Sequence, residues 1–176
     1  PIAFIGYFLL NRVDIRLAGR VWLVAVSLFF YACWNFAYLP ILLASICFNF
    51  TVGTILSRKK TLRWSRPSSR FVLSGGITGN LILLGYFKYS YFLIDNINAA
   101  FHIGYALPQV LLPLGISFFT FTQVAYLVDC YRDEAKEYNL INYTLFVAFF
   151  PYVIAGPIVH HKEMMFQFES RNNISA

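Results

Sequence analysis

The chain has 176 residues, 59% of them hydrophobic and only 12% charged, against about 25% charged residues in a soluble globular domain. That composition excludes an ordinary soluble domain. The net charge of +6 does not point to nucleic acid either. Arg58, Lys59, Lys60, Arg63, Arg66 and Arg70 sit together in one short loop of a hydrophobic chain, where they suit a cytoplasmic anchor that meets anionic headgroups.

Long uncharged runs decide the class. They cover Val21–Ser57, Phe71–Phe87, Ile103–Val128 and Tyr138–Val159, and a membrane-spanning helix needs roughly 17–25 mostly apolar residues. The expected fold is all-α, a polytopic transmembrane bundle with about six spans, some of them broken. The chain opens at Pro1, and Pro1–Leu10 reads as the tail of a span already under way, hence as part of a longer protein. It lacks the charged start and the small-residue cleavage site of a signal peptide.

A charged loop with Arg12, Asp14, Arg16 and Arg20 follows. The next uncharged run is too long for one span, and Asn35 and Pro40 mark a turn in it. It divides into span two, about Val21–Trp34, and span three, about Leu39–Leu56. The basic loop Ser57–Arg70 leads to span four, about Phe71–Phe87 with an extension to Leu93. Gly75, Gly76, Gly79 and Gly85 stud that span, as suits close helix packing in lipid. Lys88–Leu107 reads as an interfacial loop with a short helix, because Tyr89, Tyr91, Phe92 and Tyr105 suit an aromatic belt. Span five is about Pro108–Val128, and Asp129–Asn139 is a polar loop. Span six is about Leu140–Val159, either a full crossing or a re-entrant hairpin, because Pro151 and Gly156–Pro157 interrupt it. Alternate loops are basic, so the 57–70 loop should be cytoplasmic in a multi-pass inner-membrane protein. Cys33, Cys47 and Cys130 read as apolar packing residues, and no metal motif is present.

Two stretches carry unexpected polarity. On the helix of "LPLGISFFTFTQVAYLVDCYR", Ser117, Thr120 and Gln123 form one stripe, while Thr122, Tyr126 and Asp129 form another on the far side. Polarity on two faces suggests protein or water on both sides, and so an interior helix. The serine and threonines have a bland alternative, bonding to their own i−4 carbonyls. Gln123 needs a partner in a dry environment, met either by another helix or by a tunnel. The second stretch is "FFPYVIAGPIVHHKEMMFQFE". Pro151 and Gly156–Pro157 free backbone groups that survive at membrane depth only against protein or a water-filled cavity. His160 and His161 follow directly, as interfacial residues or as substrate contacts, and His102 has no evident role.

Together "PLGISFFTFTQ", "YLVDCYR" and "FFPYVIAGPI" resemble the membrane-bound O-acyltransferase family, in particular the bacterial branch that acylates envelope polymers such as alginate and teichoic acid. "SLFFYACWN" and "YLPILLASICFNF" resemble its amino-terminal spans, so residues 1–176 correspond to the amino-terminal part of a single membrane domain. The resemblance implies transfer of an acyl, by preference acetyl, group from a cytoplasmic thioester such as acetyl-CoA or an acyl carrier protein to a hydroxyl of an extracytoplasmic polysaccharide. It also implies helices that ring a tunnel between the two sides, no bound cofactor, and an extracytoplasmic partner protein. The family's general base, a histidine of the carboxy-terminal half usually followed by a Trp-His-Gly type motif, has no counterpart among these residues, so no catalytic residue is carried over. Ser117, Thr120, Gln123, Gly156, Pro157, His160 and His161 are the candidates for lining the tunnel. A transporter or flippase for a lipid-linked sugar is the alternative, since transporters also use broken helices. A non-catalytic assembly protein is a third reading.

Overall fold

The computed structural model describes residues 16–58, 66–102, 111–135 and 139–149. Among them the chain forms five α-helices and one 3₁₀ turn, with no strand. Helix α1 covers Arg16–Trp34. The expected turn then forms as Phe36–Tyr38, and Asn35 Oδ1 caps it by accepting from Ala37 N at 3.0 Å. Helix α2, Leu39–Ser57, starts at once, with Pro40 in its first turn, where a missing N–H costs nothing.

Helix α3 differs from expectation. It runs unbroken over Arg66–Phe101, 36 residues, or about 54 Å, so Lys88–Phe101 is helix and not loop. Lys88 and Asp95 suggest a stop, but the stretch between Lys88 and Phe101 contains neither proline nor glycine. Charge alone does not break a helix that can emerge from the roughly 30 Å hydrocarbon layer into water. The chain leaves it at His102, exposed and in a left-handed conformation with φ 56°.

Helix α4, Ile116–Arg132, starts eight residues later than the span expected from Pro108 and ends four later. The start is set by Gly115 at φ 65° and the end by Asp133 at φ 65°; the glycine accepts that conformation without a Cβ penalty. Helix α5, Leu140–Ala148, is N-capped by Asn139, whose Oδ1 accepts from Ile141 N at 2.9 Å. It closes at Phe149, two residues before Pro151.

Side-chain contacts fix the register. Phe48 and Val52 of α2 lie against Gly79 and Gly76 of α3, and Leu127 of α4 also meets Gly76. Thus α3 runs antiparallel to α2 and α4. Tyr126 packs at Gly53 of α2 so closely that a Cβ there would fall within the ring, its Cζ only 2.9 Å away. The α5 helix joins through Tyr143, 4.6 Å from Tyr126 and 5.7 Å from Phe50 between ring centroids, and α1 packs mainly on α5. Among the described residues two helices are long and apolar enough to cross a membrane, Phe36–Ser57 at mean hydropathy 2.0 and Pro67–Phe101 at 1.2. Cys130 is buried as expected, but Cys33 and Cys47 point outward.

Candidate functional site

The centre of α2, α3 and α4 is held by uncharged polar side chains. Asn49 lies one residue from the midpoint of α2, Gln123 one from the midpoint of α4, and Asn80 one from the midpoint of the uncharged run 71–87. Asn49 and Gln123 have no exposed surface, Asn80 is 2% exposed and Ser45 is 7% exposed. The two asparagine amides face each other: Asn80 Nδ2 donates to Asn49 Oδ1 at 2.6 Å, and Asn49 Nδ2 returns a bond to Asn80 Oδ1 at 3.1 Å. Gln123 Oε1 accepts from Asn49 Nδ2 and from Ser45 Oγ, both at 2.7 Å. Each asparagine also donates to its own helix, Asn49 to Ser45 O at 3.0 Å and Asn80 to Gly76 O at 2.8 Å. Asn49 Nδ2 therefore serves three acceptors with two hydrogens, so one hydrogen is shared.

This cluster can bind but cannot catalyse proton transfer. Amides and a serine hydroxyl without a base beside them neither give nor take a proton near neutral pH. Their strength is geometric: in lipid a polar side chain without a partner is costly, so the three helices are selected in the one register that pairs them.

Both polar stripes of α4 are indeed buried. Thr120 and Gln123 have no exposed surface and Ser117 is half-buried; on the other side Thr122, Tyr126 and Asp129 are 3%, 0% and 8% exposed. Gln123 reaches other helices through its oxygen, while its Nε2 has no partner. The hydroxyls of Thr120 and Thr122 likewise lack partners, so neither makes the expected bond to its own i−4 carbonyl. Gly156, Pro157, His160 and His161 lie outside the described residues. Sequence reasoning passed over Ser45, Asn49 and Asn80. The available signal was an isolated asparagine at the middle of an uncharged run, in "CFNFT" and in "TGNLI".

A groove of about 380 Å³ opens beside the cluster between α2 and α3. Ala44, Phe48, Gly79 and Leu83 are among its lining residues, and the buried part of the lining, its floor, is Ser45 and Asn80.

The ends of the bundle differ in chemistry. The starts of α1, α3 and α5 meet the ends of α2 and α4: Arg20 Nη1 donates to Asn142 Oδ1 at 3.0 Å, and Arg70 Nε to Tyr131 OH at 3.4 Å. Arg58 and Arg132 are exposed at this same end. The opposite end exposes Trp34 and Phe36, 66% and 73% accessible, and tryptophan is a residue enriched at a membrane boundary.

Apolar helices clamped at mid-length by amides, with arginines at one end and aromatics at the other, define a helical membrane protein. No family model matches the chain, and no solved structure does. Curated relatives do. Over 98% of its length the chain is 39% identical to a peptidoglycan O-acetyltransferase of Helicobacter pylori, covering 37% of that protein. Over 97% of its length it is 35% identical to a probable alginate O-acetylase AlgI of Pseudomonas syringae pv. tomato, covering 33% of it. The corresponding Pseudomonas aeruginosa protein is 34% identical, with 32% of it covered. These relatives are members of the membrane-bound O-acyltransferase family; the chain is similar to them over nearly its whole length and spans about a third of theirs.

Proposed function

We propose that this chain supplies part of the helical wall of an integral-membrane O-acetyltransferase, which moves an acetyl group from a cytoplasmic thioester to a hydroxyl of an extracytoplasmic polysaccharide. One observation carries the reading: relatives named for two chemically different acceptors, peptidoglycan and alginate, match the same residues over nearly the whole chain. What the two names share is the transferred acetyl group and a carbohydrate acceptor, and the reading keeps only that.

A polysaccharide hydroxyl is a weak nucleophile near neutral pH and needs a general base within hydrogen-bond reach, a contribution of roughly 10²–10⁴-fold in rate. The uncharged amide cluster does not provide one. Its part is to hold α2, α3 and α4 in fixed register, so that walls excluding water from the thioester keep their shape. The base is the histidine that the family resemblance places outside these residues. Arg20, Arg58, Arg70 and Arg132 at one end support a cytoplasmic face there by the excess of positive charge, so the thioester donor, acetyl-CoA or an acyl carrier protein, approaches from that side. The chain then sits as a multi-pass protein of the inner membrane. An extracytoplasmic partner that presents the polysaccharide belongs to the same reading. No observation favours the transporter alternative.

Expression of a polypeptide of the relatives' length that contains this chain tests the reading. Envelope polysaccharide from such cells should gain base-labile acetyl ester, measured as acetate released by mild alkali. No gain over cells without the polypeptide would contradict the reading.

A further inference from the structure

The groove between α2 and α3 has a floor of defined polarity. Asn80 Nδ2 spends both hydrogens, on Asn49 Oδ1 at 2.6 Å and Gly76 O at 2.8 Å. The Ser45 hydroxyl hydrogen goes to Gln123 Oε1 at 2.7 Å. The hydrogen-bonding capacity left on these two lining side chains is for acceptance, at Ser45 Oγ and at Asn80 Oδ1, which already takes one bond from Asn49. The floor therefore selects a donor, an O–H or N–H group, over a carbonyl or an anion.

Depth and width narrow the occupant further. The floor lies at the middle of the uncharged lengths of both helices, about 15 Å from either surface of the hydrocarbon layer. A lipid headgroup does not bring a donor there, and an acyl tail has none. A membrane helix does, through a serine, threonine, asparagine, glutamine or tyrosine. The lining includes Ala44 and Ser45, small residues that let another backbone come close, while Gly79 is covered by Phe48. Beyond Gly79 the same helix has Gly75, where a Cβ would meet nothing within 4 Å. The relatives carry the larger part of their length outside the matched third, which is ample chain for such a helix.

We propose that this groove seats one further transmembrane helix of the same polypeptide, from the part of the relatives' length that this chain does not span, and that this helix donates a hydrogen bond to Ser45 Oγ and Asn80 Oδ1. The seat is independent of the acetyl-transfer reading, and so is its test, which does not read activity.

Spin labels at Ala44→Cys and, separately, at Phe48→Cys report the occupant, in a Cys33→Ser, Cys47→Ser background. Both positions are exposed; Ala44→Cys also leaves the Phe48 contact on Gly79 in place. Collision with dissolved oxygen is measured in liposomes, for the 176-residue chain and for the polypeptide of the relatives' length. Oxygen accessibility several-fold lower in the longer form, unchanged by dilution with lipid, is the expected result. Adding Ala44→Phe to the Phe48→Cys label, which fills the groove, should restore the accessibility in the longer form. Equal accessibility in the two forms means that lipid fills the groove, and overturns the proposal. Protection already present in the shorter form and lost on dilution means that a second copy fills it, and also overturns the proposal.

Discussion

Asn49 holds the most connections of any side chain in the cluster, donating to Asn80, to Gln123 and to its own helix. Its replacement by leucine strands Gln123 Oε1 with Ser45 alone and leaves one Asn80 hydrogen without its acceptor. A side-chain hydrogen bond between membrane helices is worth on average about 0.6 kcal/mol and at most about 1.7. Asn49→Leu should therefore cost about 1–3 kcal/mol, and Asn80→Leu less, since Asn49 keeps Gln123. Unfolding by sodium dodecyl sulfate from mild detergent, followed by circular dichroism, measures both; a larger loss for Asn80→Leu would contradict this ranking. Gly53→Ala puts a methyl into the space of the Tyr126 ring, and overpacking of this kind costs about 1–3 kcal/mol. Combining it with Tyr126→Leu should recover part of that loss, so the double variant should be less destabilised than the sum of the two single ones. At this scale the sequence is half legible. The helical wheel picks out Gln123 because one helix suffices to place it on a polar stripe. Its partners Ser45 and Asn49 lie 78 and 74 residues away, and only packing brings them together.

Helix ends were readable where a local signal exists. Asn35 and Pro40 separate α1 from α2, and Asn139 caps α5. The start of α4 was misplaced because the apolar run begins at Ile103, long before Gly115 turns left-handed. Gly115→Ala should cost about 1–2 kcal/mol, the penalty of a Cβ in that conformation, and should leave the amide cluster intact. The α3 helix was cut short because its uncharged run ends at Phe87 and Tyr89, Tyr91 and Phe92 beyond it suit an aromatic belt, though hydropathy reports burial in lipid and not the persistence of helix. Nitroxides at Phe71→Cys and Ala99→Cys, both exposed, should lie about 42 Å apart by pulsed dipolar spectroscopy. A distribution centred well below that would mean a break after Phe87.

For the whole molecule, the all-helical class follows from uncharged runs that no soluble core needs. Which helices touch does not, because adjacent apolar helices look alike in sequence and are sorted by a few polar atoms. The sharing of one end by Arg20, Arg58, Arg70 and Arg132, and of the other by Trp34 and Phe36, gives the bundle a direction across the bilayer. On the function proposed here, transfer of an acetyl group should have the same direction. Membrane vesicles of both orientations, carrying the polypeptide of the relatives' length and its polysaccharide, can be supplied with a radiolabelled acetyl thioester from outside. Label should reach the polysaccharide only in vesicles whose arginine-rich face, located by labelling Arg58→Cys, is turned outward. Equal labelling in both orientations, or labelling only with that face inside, would contradict it.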